Sequence, residues 1–313
     1  MQRNRPRFDR LTTGIVAVLL ACQLAGCRTI QRIGDRGEVL DARKKSRLGM
    51  QALHQHRWQE AEQLFSEALT LSDGDDRAHR GIAETLWNRG ETELALKHMQ
   101  LAVKRSGSDP RLIGRLGAMY LEIGRLQDAE AQCDLALAAA RDLPEVWTLH
   151  GDCLKARENR EGALAAYHRA LAIDPGLVST KLRVAELYLG DDQYDRVLAT
   201  LDQIDSSEEE AATPIRVHML RGIAMRNLGR PELASKHFAN AVERDPNRAE
   251  PHLQIAAIEL EQGRIQLASR AVARAMELNP RLVQLSGWSA YLESDPNSIA
   301  NPMERAEQPP SRR

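Results

Sequence analysis

Histidines, cysteines and clustered carboxylates are the residues from which this chain would have to make chemistry, so their spacing is the first test. A nucleophile needs a base within reach, and a hydrolytic metal needs ligands that converge. No GxSxG elbow, HExxH helix, glycine-rich phosphate loop or CxxC pair occurs in the 313 residues. The run "SDGDD" at 72–76 has the composition of a calcium loop without its spaced ligands or closing glutamate, and reads as a turn. His54 and His56 offer at most a weak metal site. Cys133 and Cys153 are either two small buried thiols or, in an exported protein, a bridge. The expectation is no catalytic residue, no metal and no cofactor: not an enzyme.

A third cysteine stands in a different context. Arg3, Arg5, Arg7 and Arg10 precede "LTTGIVAVLLACQLAGC", an uncharged stretch short of the ~20 residues a membrane span needs. A basic start with a short apolar run is an export signal. Its end, Leu24-Ala25-Gly26-Cys27, resembles the lipobox of bacterial lipoproteins. That resemblance implies loss of residues 1–26 as a signal peptide, acylation of Cys27, and a lipidated tether over 27–41. A plain secretory signal or an uncleaved anchor are the alternatives. Arg28, where aspartate would favour the inner membrane in the lipoprotein family, points to the outer membrane, facing the periplasm. The mature chain would carry 39 basic and 43 acidic residues, which gives no electrostatic reason to expect nucleic acid.

The elements that must position any site show themselves as a repeat. Ala163, Tyr167 and Ala170 share one face of "REGALAAYHRALAIDP", a helix that Pro175 ends. The same face returns as Ala61-Phe65-Ala68, Ala95-Met99-Ala102, Ala129-Cys133-Ala136, Ala234-Phe238-Ala241 and Ala268-Val272-Ala275. The first alanines fall 34 residues apart, with Val197 taking the fifth place and one interval of 37 after it. Twelve residues upstream of each lies another small residue: Gly49, Ala83, Gly117, Gly151, Ala185, Gly222 and Ala256. Small residues at that spacing let two helices cross closely, and with aromatics at only 4% the core must be built from small aliphatic packing.

This helix–turn–helix pattern resembles the tetratricopeptide repeat; Trp147, Gly151, Leu154, Ala163, Tyr167, Ala170 and Pro175 carry the signature. The resemblance implies an all-α, right-handed α-solenoid of about seven 34-residue repeats: 42–75, 76–109, 110–143, 144–177, 178–211, 215–248 and 249–282. "SSEEEAATP" would hold the three extra residues as a loop. A capping helix over 283–294, including Trp288, and a disordered tail over 295–313 complete the expected organisation. His79, His218 and His252 all occupy the fourth position of their repeats, where Trp147 stands, and read as packing residues.

In that family the first helix of each repeat lines a concave groove. The equivalent positions are Arg77, Arg80, Glu84, Trp87 and Arg111 toward the N-terminus and Met219, Ile223, Leu253 and Leu260 toward the C-terminus. The basic end would receive acidic side chains or a carboxylate with Trp87 as a stacking face, and the apolar end a hydrophobic segment. The Lys–Asn clamp of chaperone-binding members is absent. The implied function is a membrane-anchored scaffold binding a protein or peptide partner in the bacterial cell envelope. In design it is similar to pilotin-type and barrel-assembly lipoproteins, and so fits assembly of a secretion, pilus or outer-membrane complex. The alternative is an accessory subunit recruiting a cell-wall or polysaccharide biosynthetic enzyme.

Overall fold

Aspartate, asparagine and proline mark where several of the helices start. Asp75 and Asp109 each accept a hydrogen bond from a backbone N–H of the helix that follows, as do Asn159 and Asn279. Pro110, Pro231 and Pro280 stand in first turns, where a missing N–H costs nothing. The computed structural model describes residues 37–204, 214–286 and 288, and among these there is no strand. Residues 1–26, Cys27, the tail at 295–313 and most of the expected tether, "SSEEEAATP" loop and cap lie outside the described residues.

The chain divides into two compact units, Met1–Cys153 and Leu154–Arg313. The first contains α1 (37–54), α2 (Trp58–Leu71), α3 (Asp76–Asn88), α4 (Thr92–Arg105), α5 (Pro110–Glu122), α6 (Leu126–Ala139) and the greater part of α7 (Pro144–Ala156). Here α3 packs on α4 and α5 on α6, antiparallel neighbours joined by short turns. The second contains α8 (Arg160–Ile173), α9 (Val178–Gly190), α10 (Tyr194–Asp202), α11 (Ile215–Asn227), α12 (Pro231–Arg244), α13 (Ala249–Glu261), α14 (Ile265–Leu278) and α15 (Pro280–Leu285). Its pairs are α9 with α10, α11 with α12 and α13 with α14, and α15 packs against both members of the last. Val283 is fully buried, and Leu282 and Trp288 lie against the cluster that holds Ala249, Leu253 and Val272.

One backbone requirement recurs. After each of α1, α3, α5, α7, α9, α11 and α13 the turn places a residue in the left-handed region. Glycine fills it at Gly90, Gly124, Gly229 and Gly263, whereas His56, Glu158 and Asp192 hold φ of 58°, 62° and 57° without that freedom.

The core explains the small residues. Phe65 on α2 is fully buried, its ring lying between α1 and α3. A Cβ on Gly49 would fall 2.6 Å from that ring, and one on Gly81 only 2.1 Å. In the second unit a Cβ on Gly222 would fall 2.5 Å from the Phe238 ring. Each ring therefore fills space that a glycine leaves open, and burying one stabilises the fold by roughly 1.5–3 kcal/mol.

Candidate functional site

Three first helices of the first unit, α3, α5 and α7, line a cleft of about 360 Å³. Its floor is apolar: Leu112, Ala118, Val146 and Leu149 supply it, and a Cβ on Gly114 would stand 3.1 Å from Val146 Cγ2, so α5 and α7 approach closely there. Its walls are charged. Arg80 and Glu84 come from α3, Arg111 and Arg115 from α5, and Glu145 from α7. Asp75 and Asp109 fix the helix starts that set the direction of the two arginine-bearing helices.

The charges are not equivalent. Arg115 Nε and Nη2 donate to the two carboxylate oxygens of Glu84 at 2.8 Å each, a bidentate pair, and its Nη1 donates to Glu122 at 3.2 Å. Glu84 raises the pKa of the Arg115 guanidinium against the opposing effect of burial, so this arginine is an internal strut. Arg80 and Arg111 are exposed and have no carboxylate partner among the described residues. The cleft thus offers two unspent cations against one unspent carboxylate, Glu145, around an apolar floor, a net positive balance. That combination suits a ligand with both an apolar anchor and a carboxylate.

The remaining groove positions divide. Arg77 is exposed on α3 but does not line the cleft. Trp87 is half-buried against the core of the first unit, and its Nε1 donates to Glu122 at 2.9 Å, so it braces α3 against α5. In the second unit Met219 and Ile223 are half-buried against Phe238 and Ile258. Leu253 is 7% exposed and belongs to the core beside Val272, whereas Leu260 is exposed. Met219, Ile223 and Leu253 therefore give much of their apolar surface to packing, and Leu260 alone of the four is exposed.

A wider recess of 740 Å³ lies at the α1–α2 turn, lined by His56, Trp58 and Arg89 among others. Its cations are already paired, Arg89 with Glu62 at 2.7 Å and Arg57 with Glu60 at 2.5 Å, which leaves it less to offer a ligand. Cys133 and Cys153 are buried and not joined as a disulfide, and burial, reinforced by Cys153, pushes the Cys133 thiol up to about 12, away from the thiolate form a nucleophile needs. Among the described residues no group of three potential ligands could hold a metal ion, and no helix is long and apolar enough to cross a membrane.

Two features escaped sequence reasoning. Arg115 and Glu84 pair across a 31-residue separation, a spacing close to the repeat length. His79 and His98 bring their Nδ1 atoms within 3.2 Å, and His218 and His237 theirs within 3.5 Å, both pairs nineteen residues apart in sequence. That doubled spacing was visible, but only the packing of first against second helix gives it meaning.

Family models for the tetratricopeptide repeat match residues 52–112 and 219–282. No curated protein matches the sequence. Among solved structures, Pseudomonas aeruginosa PilF superposes with a TM-score of 0.60 at 16% identity, covering 72% of this chain and 99% of that one. PilW, a widely conserved type IV pilus biogenesis factor, gives 0.59 at 16% identity over 69% and 97%. A tetratricopeptide repeat protein from Parabacteroides merdae gives 0.57 at 14% identity over 77% and 94%. Identities this low speak to the fold alone.

Proposed function

Because this chain is a tetratricopeptide-repeat protein, we propose that it is a non-catalytic scaffold that captures a protein partner in the cleft between α3, α5 and α7. The observation that carries this reading is the pair of unpartnered arginines, Arg80 and Arg111, above the floor of Leu112, Val146 and Leu149. The ligand it fits is an acidic segment with one apolar side chain. That side chain enters the floor, and a carboxylate meets the arginines.

The setting we propose is the bacterial envelope, with Cys27 as the lipid attachment point and the repeats held close to the outer membrane on its periplasmic side. The lipobox-like Leu24-Ala25-Gly26-Cys27 supports this. The backbone likeness to PilF and PilW, which spans nearly the whole of those chains, makes assembly of a pilus or secretion complex the first place to look. Several acyl chains would be needed, since one myristoyl-length chain binds a membrane only marginally.

Two experiments test the two halves. A fluorescent acidic peptide ending in leucine, titrated into the chain from residue 28 onward, should bind, and Arg80→Glu with Arg111→Glu should weaken it at least about tenfold, less so as salt rises. Unchanged affinity in a folded double variant overturns the cleft. Cys27→Ser should move the protein out of the membrane fraction or leave an uncleaved precursor; a Cys27→Ser protein that still fractionates as mature lipoprotein overturns the anchor. Affinity capture from solubilised membranes then separates assembly components from a biosynthetic enzyme as partner.

A further inference from the structure

His79 on α3 and His98 on α4 face each other with ring centroids 5.3 Å apart and Nδ1 atoms 3.2 Å apart. His79 Nε2 lies 3.2 Å from the backbone carbonyl oxygen of Asp73. A carbonyl can only accept, so Nε2 carries the hydrogen and Nδ1 of the neutral ring is left as an acceptor. His98 Nδ1 must then be the donor. A first proton can be added at His98 Nε2 without disturbing this bond. A second has only His79 Nδ1 to go to, and there it would set one N–H against another. The contact tolerates one positive charge and breaks at two.

Two carboxylates close to the pair in sequence are already engaged. Asp73 spends its carboxylate on Arg105 at 3.3 Å, and Asp75 spends its own on the Ala78 N–H that starts α3. Glu67 on α2 is tied to Lys45, and the ionic side chains closest to His79 along α3 are Asp76, Arg77 and Arg80, two of the three positive. The ionic side chains of α4 are Glu93, Lys97, Lys104 and Arg105, three of the four positive, and the first turn of α5 carries Arg111. His79 is 7% exposed and His98 half-buried, so water screens the pair poorly. Burial, then the neighbouring ring, hold the pKa of His98 below the ordinary histidine value.

We propose that the His79–His98 pair is an acid-sensitive fastener between α3 and α4, and that its double protonation loosens the helix carrying Arg80 and Glu84 and so releases an occupant of the cleft. The release rests on the cleft reading above; the fastener does not. His218 on α11 and His237 on α12 repeat the geometry in the second unit, with Nδ1 atoms 3.5 Å and centroids 5.8 Å apart.

The test uses the chain from residue 28 onward and the acidic leucine-terminated peptide. Ring NMR between pH 8 and pH 5 should show the pair taking up its two protons in separate steps, the second accompanied by loss of the Nδ1–Nδ1 contact. Corrected amide exchange in α3 and α4 should rise about tenfold or more between pH 7.5 and 5.5, and much less in a variant with His79→Gln and His98→Gln, whose amides can bond without titrating. Should the double variant not fold, His98→Gln alone carries the comparison. Peptide release should quicken with acid in the wild type and not in the variant. Joint titration of both rings at the ordinary value, or an equal acid response in wild type and variant, overturns the fastener. Separate titration with no peptide bound at any pH upholds the fastener and refutes the cleft.

Discussion

Gly81→Ala is the substitution that most directly tests how the first unit is packed. A methyl at this position would sit 2.1 Å from the Phe65 ring, against a normal carbon–carbon contact of about 3.5–4.0 Å. The ring would have to retreat by more than an ångström, roughly. It has nowhere to go, since its other side lies against α1, where a Cβ on Gly49 would already be 2.6 Å away. Overpacking of this kind costs about 1–3 kcal/mol, and the trapped ring puts Gly81→Ala at the upper end. Alanine returns up to about 1 kcal/mol through its better helix propensity. The net loss is about 2 kcal/mol, or roughly 4–8 °C in melting temperature for a unit or pair of units this size. Thermal unfolding followed by circular dichroism measures it. The companion variant Phe65→Leu should be destabilising alone yet milder in the Gly81→Ala background, because the smaller side chain vacates the disputed space. A Gly81→Ala protein as stable as wild type, or strictly additive double-variant losses, would refute the wedge.

Three further outcomes follow from the same geometry. Glu84→Gln removes the carboxylate that neutralises Arg115, so it should tighten capture of an acidic peptide in a salt-sensitive way, read by fluorescence anisotropy at two ionic strengths. Glu158→Gly relieves a left-handed residue, worth on the order of 1 kcal/mol, against a loss of backbone freedom of about half that, so urea denaturation should show a small gain in stability. Burial, then Arg274, hold His252 below the ordinary histidine value, so its contribution to stability is full above about pH 6.5 and is lost as the pH falls through its folded pKa; His252→Phe should flatten that acid limb in melting curves run from pH 7.5 to 5.

What the sequence disclosed was the part with a short period. The small–large–small faces are visible because Ala61, Phe65 and Ala68 lie within two turns of one helix, and all three are fully buried. Gly81 could not be recognised the same way. It stands outside the family's signature positions, and its lack of a side chain answers to a ring on the preceding repeat. The cleft was half legible. Arg80 and Arg111 follow from groove positions, but Arg115 lies off them, and only the fold shows that Glu84 neutralises it while leaving the other two free. Trp87 and Leu253 show the converse: their positions resemble groove positions, yet a carboxylate claims one and the core the other, and residue type does not distinguish the two fates.

The ring of Phe65 has a consequence for how this chain can change its length over generations. Tandem repeats are gained and lost by recombination between look-alike units, and a loss of 34 residues keeps the helical rhythm intact. Yet the space that accepts Phe65 belongs to the sixth position of the next unit, which is glycine at Gly81 but Arg47, Arg115, Leu149, Arg183, Leu220 and Gln254 elsewhere. Excising the unit that carries Gly81 would set Arg115 where Gly81 now lies against the ring, and the ring would have to settle as Tyr167 does ahead of Arg183 and Phe238 ahead of Gln254. The first two units are therefore matched to each other, and a change of copy number at this junction would require the Phe65 ring to repack.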